Sequence, residues 1–218
     1  YWMYQGKLTI AKDIRLKTMV PHTMEEFDKA EKVYFRLIEI PNEKKRTNYI
    51  KAYKLAIVNP PEKPPLRIPF RIAVQIVQLF DVEKEFEKAM EFAKISLNLE
   101  EISEEDKKVA KERLIRVKNW VKDFGEEKFK IRKVEEVKKI LDEGEKEILK
   151  LVAQKLEEGL GTVEAISQVS KEMSIDLKKI YKICYKAIFG IEKGPKLLTL
   201  EKVFGKEFLI KRFRLEKR

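Results

Sequence analysis

Residues 176–197, DLKKIYKICYKAIFGIEKGPKL, read as one helix, a glycine stop and a Gly-Pro turn. Asp176 is a good N-cap, because its carboxylate can accept from the first free amides, and Gly190 suits the left-handed position that ends a helix. At about 100° per residue, Leu177, Ile180, Tyr181, Cys184, Ala187 and Ile188 form one stripe, while Lys178, Lys179, Lys182 and Lys186 gather on the other side. A solvated helix face normally mixes both signs of charge. A face of lysine alone suits a polyanionic partner.

The same 3.6-residue periodicity extends upstream and downstream. Pro69 suits the first turn of a helix carrying FRIAVQIVQLF, which is apolar nearly all round and belongs at the centre of a bundle. An amphipathic helix follows over residues 82–96. Ser103 caps the longest helix, which runs to Phe124 with Val109, Ala110, Leu114, Val117, Trp120, Val121 and Phe124 on its stripe. Helices near 134–142 and 145–158, then over 162–173 and 176–189, lead to a final segment over 200–214. Towards the N-terminus, Thr23-Met24-Glu25-Glu26 reads as a capping box before another helix, and Gly6 interrupts an aromatic YWMY opening. Residues 48–58 fit either a final helical turn or a strand. The expected fold is mainly α, a helical bundle preceded by a small unit.

Five of the eight prolines, Pro60, Pro61, Pro64, Pro65 and Pro69, fall within ten residues. Such a stretch is extended and stiff, since proline fixes φ and pushes its predecessor out of the helical region. The expected boundary therefore lies near residue 60, with one unit over 1–60 and a larger one over 61–218. The chain starts at Tyr1 inside the aromatic run, and reads as a piece of something longer.

Forty-eight lysines and arginines against thirty-seven acids leave a net charge of +11, which points first to nucleic acid and then to anionic membrane. The lysine and glutamate enrichment fits a protein from a hot habitat, a salt-adapted surface or a coiled coil. A single cysteine, Cys184, excludes an intrachain disulfide framework, fits a reducing compartment and reads as a buried small hydrophobe. No apolar run approaches the roughly 20 residues that span a bilayer. His22 is the only histidine, so histidine triads and multi-histidine metal sites are excluded, and neither a phosphate-binding glycine loop nor a nucleophile elbow occurs. No catalytic residue and no metal ligand is expected.

Basic and aromatic residues carry the functional expectation. Lys107, Lys111, Lys118 and Lys122 form a ridge on the 103–124 helix beside Asn119 and Trp120, where an indole could stack a base while amines hold phosphate, although a large aromatic there reads first as a core anchor. Arg71, Gln75 and Gln78 are the polar side chains of an otherwise apolar helix and need partners in the protein or a ligand; Arg71 stands beside Phe70. The Gly194-Pro195 turn permits close backbone approach in a rigid shape and projects Lys196.

Four segments in order, MEEFDKAEKVYF (24–35), IPFRIAVQIVQL (68–79), RVKNWVKDFGEEKFK (116–130) and YKICYKAIFGIEKGPKLLTLEKVFGKEFLIKRF (181–213), resemble the C-terminal part of the archaeal-type class I lysyl-tRNA synthetases. The resemblance implies a stem-contact unit over 1–60 and an α-helix cage over 61–218 that binds the anticodon of lysine tRNA. By comparison with the related glutamyl enzymes, it places Tyr185, Gly194, Pro195, Lys196 and Leu197 at the anticodon. Lys182, Lys186, Phe70, Arg71, Lys118 and Trp120 complete the expected RNA contacts. Lys196 stands where the family usually has arginine, so a bidentate contact is not reproduced. The implied parent is a cytoplasmic, monomeric, ATP-dependent ligase of protein synthesis. ATP would bind an upstream catalytic domain whose two signature motifs do not occur in this chain, and no cofactor is expected here. The other reading is a non-catalytic basic helical module that docks an acidic protein partner.

Overall fold

A computed structural model describes residues 16–126 and 128–216. The YWMY run and Gly6 lie outside the described residues. The described residues form helices and no strand: α1 (Leu16–Tyr34), α2 (Glu43–Ala56), α3 (Phe70–Leu79), α4 (Phe86–Leu97), α5 (Glu104–Phe124), α6 (Val134–Ile140), α7 (Glu143–Glu157), α8 (Thr162–Met173), α9 (Leu177–Phe189), α10 (Leu197–Phe204) and α11 (Lys206–Phe213). The mainly α fold expected from periodicity is the one observed.

Packing divides the chain into two compact units, and not at the prolines. One unit holds the described residues through Val74 together with Ser103–Gly125; the other holds Gln75–Ile102 and the described residues after Gly125. The proline strap stays with the first unit because its end is tied down there. Leu66 N–H donates to Asp106 Oδ1 at 2.8 Å, Arg67 grips Glu31, and the Ile68 carbonyl accepts from Arg113. A stiff segment is thus also a bound one, which composition alone does not reveal.

In the first unit α1 and α2 pack as a hairpin. The helix of α1 runs from Leu16 straight through Pro21, His22 and Thr23, so the capping box expected at Thr23 does not start it, and His22 is an exposed helical residue rather than part of a loop. Pro21 forfeits one intrahelical hydrogen bond, a cost met by packing further along, where Ala30 and Val33 are buried. Residues 48–56 are helical, within an α2 whose N-cap, Asn42, accepts from Lys45 N–H at 2.9 Å.

Charged groups are buried in the first unit's core. Arg113 of α5 donates from its guanidinium to Asp28 Oδ2 at 2.6 Å and to the Ile68 carbonyl at 2.7 Å. Arg67 makes a two-pronged contact with Glu31 at 2.9 and 3.1 Å, and the Tyr53 hydroxyl donates to the same carboxylate at 2.9 Å. Burial pushes the Asp28 carboxyl above its ordinary range despite the opposing pull of Arg113. The Tyr53 phenol is pushed up by burial and by its bond to Glu31. These contacts join α1, α2, the strap and α5 around Ala52, Ile68, Phe70, Ala110 and Leu114. Removing one member of a buried pair strands the other charge. Arg113→Leu should therefore destabilise the protein by about 3–5 kcal/mol. By circular dichroism its melting temperature should fall on the order of 10 °C, while Arg116→Leu, at an exposed position on the same helix, should change it little.

The second unit centres on α7 and α9. Helix α7 packs against α8, α9 and α11; α9 also meets α6, α8 and α11; and α10 lies among α4, α8 and α11. Ile148, Leu149, Val152 and Leu156 of α7 and Ile180, Ile183, Cys184, Ala187 and Ile188 of α9 are all buried in this unit's core. Helix α4 begins at Phe86, four residues later than expected, because Asp81 gathers residues 83–85 into a turn. The segment expected over 200–214 is two helices. Gly205, at φ +85° and ψ 155°, breaks it between α10 and α11 in a conformation that a side chain would resist. Phe80 stacks on Phe204 with ring centroids 5.3 Å apart, and Phe204 leans on Phe208.

Buried Arg212 fastens the end of α9. Its guanidinium donates to the carbonyls of Arg132 and Ile188, and Arg132 N–H donates to Ile188 as well, at 3.0 Å. A carbonyl left open at the helix C-terminus is satisfied twice. Cys184 is fully buried and its thiol is pushed up by desolvation, so it is inert in the native state. A thiol reagent such as DTNB should modify it only once denaturant unfolds the unit. Stoichiometric labelling of the native chain would contradict this placement.

Candidate nucleic-acid interface

Helix α9 begins as its sequence requires. Asp176 Oδ1 accepts from Lys178 N–H at 2.8 Å and Lys179 N–H at 3.3 Å, and Gly190 ends the helix at φ +73°. Lys178, Lys179 and Lys182 are exposed on one face, and Lys186, one turn beyond Lys182, is three-quarters covered. The apolar stripe packs inward, except that Leu177 at the first turn is largely exposed.

The turn after α9 folds back onto the helix. A Cβ on Gly194 would stand 2.7 Å from Phe189 Cε2 and 2.8 Å from Tyr185 Cδ1, so the backbone rests directly on the two rings and only glycine fits. Pro195 and Leu197 are buried beneath the surface, whereas Lys196 is exposed at the N-terminus of α10, where its carbonyl accepts from Thr199 and Leu200 N–H. Tyr185 is half-buried as the floor of the turn. Burial, followed by the neighbouring Tyr181 and Cys184, pushes its phenol up to about 12, so it is a neutral hydroxyl at physiological pH. The structure thus brings Tyr185, Lys182, Lys186 and residues 194–197 into one local arrangement, and divides their roles. Pro195 and Leu197 shape the turn from inside. Lys182, Lys196, the Gly194 backbone and the rim of Tyr185 are what a ligand could reach.

Two acids join this cluster that periodicity did not single out. Glu145 of α7 holds Lys186 Nζ at 2.6 Å, and Glu192 of the turn lies 2.9 Å from Lys182 Nζ. Both lysine ammoniums have carboxylates against them. Neither acid shares a helix with its lysine, so no i, i+4 pattern marks the pairing.

In the first unit, Phe70 is buried and meets Trp120 edge-on, with ring centroids 5.1 Å apart and planes at 76°. Phe70 is therefore a core residue, with no face open to a base. Trp120 and Lys118 are half-buried, and Arg71 is exposed at the first turn of α3. Lys107 pairs with Glu104 at 2.8 Å across one turn of α5. Gln78 is satisfied within the second unit, donating to the Glu126 carbonyl at 3.0 Å and accepting from Phe129 N–H at 2.6 Å. That amide holds a loop rather than a ligand.

No family model matches the chain. It is similar over nearly its whole length to part of several lysine–tRNA ligases. One is from Methanocaldococcus jannaschii, 31% identical over 233 aligned positions that take in 99% of this chain and 43% of that protein. Another is from Methanosphaera stadtmanae, 25% identical over 99% of this chain and 44% of that protein. A third, from Thermococcus kodakarensis, is 28% identical over 88% of this chain and 38% of that protein. The chain spans less than half the length of these relatives. The resemblance read from four short segments is therefore a resemblance of the whole chain to part of the archaeal-type enzymes.

The fit of Gly194 against two rings makes the turn sensitive to one added methyl. Gly194→Ala should cost about 1–3 kcal/mol through forced displacement of Tyr185 or Phe189, read as a lowered thermal midpoint. Lys193→Ala next to it, on an exposed side chain, should leave the midpoint near that of the parent.

Proposed function

We propose that this chain is the tRNA-binding part of an ATP-dependent lysine–tRNA ligase, with the α9 face and the 194–197 turn meeting the anticodon loop. The observation that carries the reading is the near-complete match of the chain to part of lysine–tRNA ligases, taken with the lysine face and its rigid Gly-Pro turn. Lysines on α9 supply phosphate contacts, which give affinity without sequence information. Tyr185, the Gly194 backbone and Lys196 supply contacts to unstacked bases. In the first unit, Lys29 and Lys45 line one groove, Arg46 and Lys54 line another, and Ile40 and Pro41 line both. Those grooves support the stem-contact role for residues 1–60.

Adenylation of lysine belongs to the remainder of the enzyme. The family's two signature motifs are not in this chain, and ATP would be held where they are. The protein-docking alternative has no comparable support, since the relatives match from one end of the chain to the other. Among the described residues no helix is long and apolar enough to cross a membrane.

If about four lysines engage phosphates of a single-stranded loop, log affinity should fall against log salt with a slope of about −3, roughly 50-fold between 50 and 200 mM salt. Loss of one stacked base costs about 1–3 kcal/mol. Tyr185→Ala should therefore weaken a lysine-tRNA transcript about tenfold or more, and an anticodon-altered transcript much less. Lys107→Ala should weaken both equally and slightly. Filter binding with both transcripts measures this. Equal losses for the two variants on the two RNAs would remove Tyr185 from the anticodon site.

A further inference from the structure

Once folded, the lysine face of α9 carries its own anion. Lys182 Nζ lies 2.9 Å from Glu192 Oε2, and Lys186 Nζ lies 3.8 Å from Glu192 Oε1. Glu192 arrives from the turn rather than from the helix. Gly190 reverses the chain in the left-handed conformation, and Gly194 is pinned on Phe189 and Tyr185. Residues 191–193 have no course between these two anchors except back beside the last turns of α9. Backbone geometry, not helical spacing, sets the carboxylate over the lysines.

The two lysines are held differently. Lys186 is also bound by Glu145, a carboxylate only 12% exposed, so it is committed to joining α9 with α7. Lys182 and Glu192 are 55% and 51% exposed, and solvent screens their attraction. A phosphate could take the place of Glu192 at Lys182 without disturbing the core. It could not readily take the place of Glu145 at Lys186.

We propose that Glu192 is an intramolecular competitor for RNA phosphate at Lys182, so that the face holds RNA less tightly than its lysines alone would. This rests on the reading of the α9 face and the 194–197 turn as an RNA site. Carboxylate and phosphate are both anionic acceptors for the same ammonium, so one must leave before the other binds. Freeing Lys182 costs every RNA that engages it the same, so the difference between RNAs is left to the base contacts at Tyr185 and the adjoining turn.

The test uses fluorescence anisotropy at low salt with a lysine-tRNA transcript and with poly(C). Glu192→Gln should tighten both RNAs about twofold to fivefold, the range open to an exposed ion pair. With Lys182→Gln already present, Glu192→Gln should gain nothing. The same gain without Lys182 would overturn the proposal as a general charge effect. If Lys182→Gln weakens binding but Glu192→Gln changes nothing, competition fails while the RNA face stands. If Lys182→Gln is also silent, both fail together.

Discussion

The backbone of Gly194 rests on the rings of Tyr185 and Phe189 with no space for a Cβ, and the candidate site depends on that contact. It turns a flexible connection into a fixed one. Pro195 and Leu197 are buried as a consequence, Lys196 is left outside at the start of α10, and residues 191–193 are laid along α9. The contact in turn needs Phe189 at the end of a helix that stops one residue later. The left-handed Gly190 and the double acceptance by the Ile188 carbonyl ensure that stop. The candidate site is thus built on a short, closely packed piece of protein, and such pre-organisation reduces the ordering cost of binding any ligand.

Electrostatics serve different ends in the two units. Around Arg113, Asp28, Glu31 and Arg67 the charges are buried or part-buried, Arg67 grips Glu31 with two prongs, and the pairs define which elements meet. Their attraction competes with desolvation, so their value lies in specifying the arrangement as much as in net stability. On α9 the charges are mostly open to water. There they are screened by solvent and cost little to rearrange.

Local signals located the helices well where caps and periodicity agreed. Ser103, Asp176 and Gly190 bound α5 and α9 as their chemistry demands, and α8 falls on 162–173 as read. The misses have physical causes. The box at Thr23 is locally sound, but α1 continues through it because tertiary packing outweighs one proline. The prolines at 60–69 mark the expected boundary, yet the end of that strap is bound by Asp106, Glu31 and Arg113, partners 36 to 45 residues away in sequence. The break at Gly205 lies in its backbone angles, φ +85° and ψ 155°, which the apolar spacing over 200–214 does not signal.

The sequence by itself determined the helical class, the lysine face of α9 and the turn beyond it, because these depend on spacing within one helix and on the chemistry of glycine and proline. It also carried the likeness to part of the lysine–tRNA ligases. Only the tertiary structure decided which residues of the turn are inside and which outside, that Phe70 is core, and that Glu192 and Glu145 stand against the lysines. Those outcomes require distant segments to meet, and helical spacing carries no information about what a neighbouring element will bring.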